Sequence, residues 1–175
     1  MNIAIVGGGI VGLALGYKLS KVKGNTVHIY EKEEEVGFHQ SGRNSGVLHC
    51  GLAYKPGSLK AQLAVSGIKQ MIKYCKDYNV SHDICGKIVV ANNENEIDLL
   101  DDTAKRGKLN GLKGLKYLNK NELKEREPFV SSLKTLLVPQ EGIVDYKGVM
   151  LSMNENIINN GGDVFLNKKI EKIEE

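Results

Sequence analysis

The feature that most constrains the fold is a glycine-rich turn between two apolar runs near the amino terminus. The turn reads Gly7-Gly8-Gly9-Ile10-Val11-Gly12, with the spacing GxGxxG at its first, third and sixth residues. Residues 3–6 before it are apolar, as in a buried parallel strand, and residues 10–22 after it are predicted to form a helix. A second strand, residues 26–30, is followed at once by Glu31. The whole pattern predicts a βαβ unit that binds a dinucleotide.

The residue types of this unit suit a dinucleotide for separate physical reasons. Gly7 permits the tight turn, Gly9 lets a pyrophosphate approach the backbone, and Gly12 lets the helix pack closely on the strand. The helix N-terminus offers free N–H groups and the positive end of a dipole to a phosphate. The carboxylate of Glu31 can accept hydrogen bonds from ribose hydroxyls and would repel a 2′-phosphate, which disfavours NADP. These residues leave FAD and NAD open, and the structural alternative is a glycine turn without a ligand.

Composition excludes several classes of protein. The chain has 175 residues, of which 41% are hydrophobic and 26% charged, as in an ordinary globular protein. A net charge of +3 is too small to suggest nucleic-acid binding. No apolar run is long enough for a membrane helix, and no basic leader precedes the first strand, so a cytoplasmic location is expected. The cysteines Cys50, Cys75 and Cys85 lack metal-like spacing and are expected to be reduced thiols, with no metal site.

A second unusual stretch runs from Gly37 to Gly51. It is rich in glycine, serine and asparagine, which predicts a loop, yet it also contains two histidines and an arginine. Long loops of this kind are often functional. Ser41, Asn44 and Ser45 can donate hydrogen bonds to a planar ligand that lies against the small residues. A surface loop without function is the alternative.

The rest of the chain predicts an α/β, Rossmann-like three-layer domain with part of an inserted α+β domain. The first domain is expected to comprise residues 1–80 and 141–175, and the partial second domain residues 81–140. Further helices are predicted at 58–79, 93–108 and 146–160, with a short one from the capping box at Asn119 to Pro128, and further strands at 86–91, 133–138, 142–145, 163–166 and 170–173.

With these residues in view, the chain resembles the FAD-dependent oxidoreductases of the D-amino-acid oxidase (DAO) superfamily. Within that superfamily it is most similar to the L-2-hydroxyglutarate oxidases and dehydrogenases. The resemblance rests on the Gly7–Glu31 unit, on the run from His39 to Gly51 with its continuation Tyr54-Lys55-Pro56-Gly57-Ser58-Leu59-Lys60-Ala61, and on Gly142-Ile143-Val144-Asp145-Tyr146. It covers the whole chain and implies FAD rather than NAD.

The resemblance also implies roles for individual residues. The glycine turn would hold the pyrophosphate, Glu31 the ribose and the backbone of Ile170 the adenine, while the loop would lie along the flavin with His49 on a strand beside the ring. The implied FAD contacts are Gly7, Gly8, Gly9, Ile10, Val11, Gly12, Glu31, Lys32, Gln40, Ser41, Gly42, Arg43, Asn44, Ser45, Gly46, Val47 and Ile170.

The implied reaction is oxidation of L-2-hydroxyglutarate to 2-oxoglutarate, with electrons passed on to oxygen or to a quinone. A quinone would imply peripheral contact with a membrane. His49 is the candidate base, although it could equally fix the loop. Arg43, Tyr54 and Lys55 are the candidate partners of the dicarboxylate substrate.

Two other functions remain open at this point. One is another flavoenzyme of the superfamily, such as a glycerol-3-phosphate dehydrogenase or an amino-acid oxidase, although Ala53 stands where the glycerophosphate enzymes have arginine. The other is a non-catalytic nucleotide-binding fragment. Members of the resembled group are about twice as long, so the chain is expected to be an N-terminal fragment or a truncated product.

Overall fold

The computed structural model describes residues 1–174, which divide into two compact units. The first unit contains Met1–Gly46, Tyr78–Ser81 and the residues from Asp145 onwards. The second contains Val47–Asp77 and His82–Val144. The elements in chain order are β1 (Asn2–Val6), α1 (Ile10–Ser20), β2 (Thr26–Tyr30), β3 (Val47–Leu48), α2 (Leu59–Asp77), β4 (His82–Asp83), β5 (Lys87–Ala91), α3 (Glu94–Leu109), β6 (Lys116–Leu118), α4 (Lys120–Arg126), β7 (Lys134–Val138), β8 (Gly142–Val144), α5 (Tyr146–Asn159) and β9 (Asp163–Phe165).

The first unit is built on a parallel sheet with the strand order β1-β2-β9. Ile5, Ile29 and Val164 lie opposite one another in register across the three strands. Val27 and Ile29 are fully buried, because alternate residues of β2 face the helices. The predicted βαβ unit is therefore present, and residues far along the chain add the third strand to its sheet.

Helix α1 packs closely on this sheet at Gly12 and Gly16. A Cβ atom at Gly12 would lie 2.0 Å from the carbonyl oxygen of Gly7, so no larger residue fits there without a backbone shift. A Cβ atom at Gly16 would lie 2.8 Å from Ile29 Cδ1 and 3.1 Å from Ile157 Cδ1. Gly16 thus touches both the sheet and α5, which places the two helices on the same face of the sheet.

The opposite face of the sheet carries a row of rings. The Phe165 ring stacks on Tyr30 at 5.2 Å and on His28 at 5.9 Å between centroids. His28 Nδ1 also lies 3.1 Å from Asp163 Oδ2. Within the first unit, the described residues therefore form one layer of sheet and one layer of helices, with aromatic side chains on the other face.

The second unit contains two antiparallel sheets and three helices. One sheet has the order β3-β8-β4 and the other β5-β7-β6. Leu100 and Ala104 of α3 are buried, and α3 packs on β5 and β7. The side chain of Asn93 caps α3, and Asn119 and Glu122 form the predicted capping box of α4.

The division into units differs from the one predicted from the sequence. Residues 47–77 belong with the second unit, because β3 pairs with β8 and because the turn at Gly51 packs against Val65 and Ala64 of α2. The sequence analysis placed them with the first. Residues 142–144, also assigned to the first, form β8 of the second unit.

Several predicted elements also change. Residues 170–173 do not form a strand: after β9 the chain turns at Asn167, whose φ is +55°, and the following residues are irregular. The helix predicted over residues 10–22 ends at Ser20. The strand expected at His49 is β3, which ends one residue earlier, and the short strands β4 and β6 were not predicted. Within residues 1–174, no helix combines the length and the apolar character needed to cross a bilayer.

The three cysteines lie in different environments, all in the second unit. Cys50 and Cys75 are buried, whereas Cys85 is exposed. Burial, followed by the nearby charge of Glu141, raises the pKa of Cys50 to about 12, and burial raises the pKa of Cys75. Within residues 1–174, no three side chains of the types that bind metals come close enough to hold an ion.

The packing at Gly12 can be tested against Gly16 on the same helix. Gly12→Ala should lower the free energy of unfolding by about 1–3 kcal/mol, because the new methyl group meets a backbone carbonyl that cannot turn away. Gly16→Ala should change it by less than about 1 kcal/mol, because isoleucine side chains can rotate and alanine favours the helix. Urea denaturation followed by circular dichroism measures both, and equal effects would contradict the packing described.

The thiols provide a second test. A raised pKa keeps a thiol protonated, so at about pH 8 only Cys85 should react promptly with Ellman's reagent in the native chain. Cys85→Ser should abolish that fast reaction, and denaturation of the unsubstituted chain should release all three thiols. Fast labelling of Cys50 in the native chain would show that its environment is not the one described.

Candidate functional site

A cavity of about 460 Å³ opens at the carboxyl ends of β1 and β2 in the first unit. Ligands bind at this edge of parallel α/β sheets, because the loops that follow the strands meet there. The cavity is lined by Val6, Gly7, Gly9, Tyr30, Glu31, Lys32, Gly37, Phe38, His39, Gln40, Ser41, Lys168, Lys169 and Ile170.

The glycine turn presents its backbone to this cavity. Gly7 has a φ of +104°, a conformation that favours glycine. Gly9 is the N-cap residue of α1 and has no side chain to cover the end of the helix. The N–H of Ile10 donates a hydrogen bond to Ser41 Oγ at 3.0 Å. A Cβ atom at Gly9 would lie only 3.1 Å from Ser41 Oγ. The glycine turn therefore borders the cavity with backbone alone, and a side chain at Gly9 would crowd the hydroxyl of Ser41.

Glu31 is held rigidly at the wall of the cavity. The residue is 7% exposed. Its Oε2 accepts a hydrogen bond from the N–H of Gly8 at 2.6 Å, and its Oε1 accepts one from the N–H of Glu33 at 3.0 Å. Each carboxylate oxygen can accept a second bond, so the group can still bind ribose hydroxyls. Its negative charge opposes a 2′-phosphate at the same place.

The segment after β9 forms another wall. The N–H of Lys168 donates to the carbonyl of Glu31 at 2.8 Å, and the N–H of Asn167 donates to the carbonyl of Glu33 at 2.9 Å. These bonds hold Lys168, Lys169 and Ile170 along the cavity. Ile170 lines the cavity but does not lie on a strand, and its contact with an adenine stays a prediction.

The loop between residues 37 and 46 is ordered by its own hydrogen bonds. Asn44 Nδ2 donates to the carbonyl of Ser41 at 2.6 Å, and its Oδ1 accepts from the N–H of Gly46 at 2.8 Å. The guanidinium carbon of Arg43 lies 4.8 Å from the centre of the Phe38 ring. The N–H of Gly37 donates to the carbonyl of Gly8 at 3.0 Å, which ties the loop to the glycine turn.

The structure brings part of the predicted FAD-binding set together. The predicted residues that line the cavity are Gly7, Gly9, Glu31, Lys32, Gln40, Ser41 and Ile170. The predicted residues that do not line it are Gly8, Ile10, Val11, Gly12, Gly42, Arg43, Asn44, Ser45, Gly46 and Val47. Gly8 and Ile10 nevertheless support the wall through backbone hydrogen bonds to Glu31 and Ser41.

Sequence analysis missed five polar or aromatic residues of this cavity: Tyr30, Phe38, His39, Lys168 and Lys169. A signal was present for the two lysines, because they follow a strand that could be assigned to the parallel sheet. His39 belongs to the loop that the sequence analysis singled out, and its Nε2 pairs with Glu33 Oε1 at 2.8 Å. The contact between His39 and Glu33 and the hydrogen bond from the Glu33 N–H to Glu31 Oε1 together fix the turn after Glu31.

A second cluster of polar side chains surrounds Glu141 in the second unit. Glu141 is only 1% exposed. Its Oε1 accepts hydrogen bonds from the N–H of Cys50 at 3.2 Å and from Cys50 Sγ at 3.4 Å. Its Oε2 forms an ion pair with Lys87 and lies 3.7 Å from His49 Nδ1. Sequence analysis did not identify Glu141 or Lys87, because nothing local marks a glutamate before a glycine as buried.

The remaining predicted site residues are placed as follows. His49 comes directly after β3 rather than on it, because only Val47 and Leu48 pair with β8, and 56% of its side chain is exposed. Tyr54 is half-buried, and its carbonyl accepts from Asn110 Nδ2 at 3.0 Å. Lys55 is exposed. These three belong to the second unit, whereas Arg43 belongs to the first.

Curated relatives match almost the whole chain. It is 45% identical over 174 residues to the L-2-hydroxyglutarate dehydrogenase of Indibacter alkaliphilus, which covers 99% of this chain and 44% of that protein. It is 40% identical to the mitochondrial L-2-hydroxyglutarate dehydrogenase of Homo sapiens, over 99% of this chain and 38% of that protein. It is 35% identical to the L-2-hydroxyglutarate dehydrogenase of Escherichia coli, over 99% of this chain and 41% of that protein. The chain therefore spans less than half the length of these relatives.

Solved structures agree on the fold. The FAD-bound L-α-glycerophosphate oxidase of Mycoplasma pneumoniae superposes with a TM-score of 0.88 at 27% identity, over 95% of this chain and 44% of that one. The glycine oxidase of Geobacillus kaustophilus superposes with a TM-score of 0.84 at 24% identity, over 94% of this chain and 46% of that one. These similarities confirm the predicted α/β, Rossmann-like fold class.

Comparison with models of protein families shows the family to which the chain belongs. The family described as FAD dependent oxidoreductase, DAO, matches residues 2–175. The predicted resemblance to this superfamily and the preference for FAD over NAD are confirmed. By its glycine turn, its fold and this match, the chain belongs to the DAO family of FAD-dependent oxidoreductases.

Proposed function

We propose that this chain supplies the FAD-binding unit and part of the substrate-binding unit of an enzyme that oxidises L-2-hydroxyglutarate to 2-oxoglutarate. The observation that carries the proposal is the cavity beside the glycine turn, with Glu31 held at its wall. The choice of substrate is supported by relatives of that name, which are 35–45% identical across 99% of the chain.

In this proposal the residues of the first unit bind and orient the cofactor. When bound, FAD supplies the hydride-accepting chemistry that amino-acid side chains lack. The backbone of residues 7–12 holds the pyrophosphate and the carboxylate of Glu31 accepts from the ribose hydroxyls. Lys32, Lys168 and Lys169 add positive charge near the phosphates. The backbone at Ile170 contacts the adenine, and residues 40–47 lie along the flavin.

The proposed substrate residues are three from the second unit and Arg43 from the first. His49 accepts the proton of the substrate hydroxyl, because an imidazole titrates near neutral pH and its side chain is accessible. A substrate with two carboxylates needs cationic or hydroxyl partners, and Arg43, Tyr54 and Lys55 are the proposed ones. Lys60 Nζ lies 4.5 Å from the centre of the Tyr54 ring and adds a further positive charge beside it.

A second candidate is oxidation of glycerol 3-phosphate. It is favoured by the structural similarity to the glycerophosphate oxidase of Mycoplasma pneumoniae. The run from Leu48 to Tyr54 also resembles the His-Gly-Gly-Leu-Arg-Tyr run of the glycerophosphate enzymes, but Ala53 stands where their arginine would be. Without that guanidinium group a phosphate substrate loses its bidentate partner, so the dicarboxylate is the better proposal.

The proposal includes an electron acceptor and a location. Oxygen or a quinone takes the electrons from the reduced cofactor, and a quinone would bring the protein to the inner face of a membrane. We propose the cytoplasm as the compartment. Some relatives carry mitochondrial names, including the human one, so localisation of a tagged chain in its host would test this part.

The role of Glu31 predicts the behaviour of a charge-neutral variant. Glu31→Gln keeps an oxygen that can accept from Gly8 but replaces charged hydrogen bonds to the ribose by weaker neutral ones. The Kd of FAD, measured by quenching of flavin fluorescence, should rise about tenfold. Glu34→Gln, an exposed glutamate of the same turn, is the matched control and should leave the Kd unchanged. Equal Kd values of FAD for both variants would show that Glu31 does not contact the cofactor.

The choice of substrate is tested by anaerobic absorbance spectroscopy of the FAD-loaded chain. L-2-hydroxyglutarate should bleach the flavin band, whereas glycerol 3-phosphate and amino acids should not. His49→Asn should slow the bleaching by about 10²–10⁴-fold, because general base catalysis contributes that much. Bleaching by glycerol 3-phosphate would favour the second candidate, and bound flavin that no substrate bleaches would favour a non-catalytic FAD-binding chain.

A further inference from the structure

The buried carboxylate of Glu141 is the strongest polar feature that the proposed function does not use. It lies in the second unit beside the candidate base, and burying a charge is costly unless the charge is paired and hydrogen-bonded. We infer that Glu141 is a positioning residue that orients the imidazole of His49 and fixes its tautomer, with the proton on Nδ1 and a free lone pair on Nε2. The catalytic part of this inference rests on the proposed function, because it takes His49 as the base.

The contacts of Glu141 fix the direction in which its carboxylate points. Oε1 is held by both the N–H and the thiol of Cys50, the residue next to His49 in the chain. The carbonyl of Glu141 accepts from the N–H of Gly86 at 2.8 Å. With the backbone and Oε1 both anchored, Oε2 can point only towards Lys87 and His49.

One acceptor position on Oε2 is still open. Among residues 1–174, this buried atom receives no hydrogen bond of ordinary geometry, although it pairs with the charge of Lys87. His49 Nδ1 lies 3.7 Å away, slightly beyond hydrogen-bond length, so a small rotation of the exposed ring closes the gap. A buried carboxylate oxygen thus pairs with the ammonium group of Lys87 and lies 3.7 Å from a ring nitrogen of His49.

Electrostatics selects the tautomer. If Nδ1 carried its lone pair, that lone pair would face the negative oxygen and be repelled, whereas an Nδ1–H bond dipole is attracted to it. The tautomer of a histidine is set by the partner of one nitrogen, and carboxylates commonly serve as that partner. Lys87 pairs with the same oxygen, so the carboxylate, the ammonium group and the ring form one polar cluster.

The consequence for chemistry is a base with a defined acceptor atom. With the proton fixed on Nδ1, the lone pair of Nε2 is available on the side of the ring away from Glu141. A substrate hydroxyl can then give its proton to Nε2, and the positive charge that develops on the ring is stabilised by the carboxylate. The same arrangement of carboxylate and histidine orients the base in hydrolytic enzymes.

The experiment measures the tautomer directly in the 175-residue chain. Long-range ¹H–¹⁵N spectra of the histidine rings at about pH 9, where an imidazole is neutral, distinguish Nδ1–H from Nε2–H. His49 is assigned by comparison with His49→Asn. The variants are Glu141→Gln, which removes the charge at nearly constant shape, and Glu125→Gln, an exposed glutamate of the same unit, as the matched control.

The expected result is a majority of the Nδ1–H tautomer for His49 in the unsubstituted chain and in Glu125→Gln. Glu141→Gln should lower the ratio of Nδ1–H to Nε2–H about tenfold, because a charged acceptor becomes a neutral one. In the FAD-loaded chain, Glu141→Gln should also slow bleaching by L-2-hydroxyglutarate about tenfold without changing the Kd of FAD.

Several outcomes would overturn the inference. A majority of the Nε2–H tautomer in the unsubstituted chain refutes it without any variant, which covers the case in which Glu141→Gln does not fold. Equal tautomer ratios in Glu141→Gln and Glu125→Gln refute it as well. Because the tautomer is measured without FAD or substrate, a chain with the expected tautomers that no substrate bleaches would support the orientation of His49 by Glu141 and reject the proposed function instead.

Discussion

The first unit depends on the close approach of Gly12 to the carbonyl of Gly7, which leaves no room for a Cβ atom. This contact sets how near α1 lies to the sheet, and Gly16 continues the close packing towards Ile29 and α5. The position of α1 in turn determines where the helix begins relative to the ends of β1 and β2. The place at which the helix N-terminus meets the cavity is therefore a result of backbone packing.

Among residues 1–174, each unit also contains one buried glutamate that organises its polar residues. Glu31 is held by the backbone of Gly8 and Glu33 and is turned towards a cavity. Glu141 is held by Cys50 and Lys87 and is turned towards a histidine. In both cases backbone N–H groups anchor the carboxylate, so its position does not depend on the ligand. Binding then requires little reorganisation of the protein, which is how fixed charges become effective in enzymes.

Sequence patterns predicted the elements that depend on interactions between residues close together in the chain. The glycine turn, the strands on either side of it and the capping box at Asn119 have signals within a few residues, and the structure contains them. The strands β3, β4 and β6 have only two or three residues, and they exist because distant partners pair with them. The burial of Glu141 has the same origin, because its partners Cys50 and Lys87 are far away in the sequence, so no short window could reveal it.

The pairing of β3 with β8 has a consequence for the order in which the chain can fold. β9 must pair with β2 although more than a hundred residues separate them, and closing so long a loop costs conformational entropy. Val47 lies opposite Ile143 in the second unit, so that unit begins and ends at neighbouring points. Once it has folded, its ends are held together, so the effective loop between β2 and α5 shrinks to residues 31–46 and Asp145. Folding of the second unit therefore lowers the entropy cost of pairing β9 with β2. The parallel sheet should acquire its third strand only after the second unit has folded.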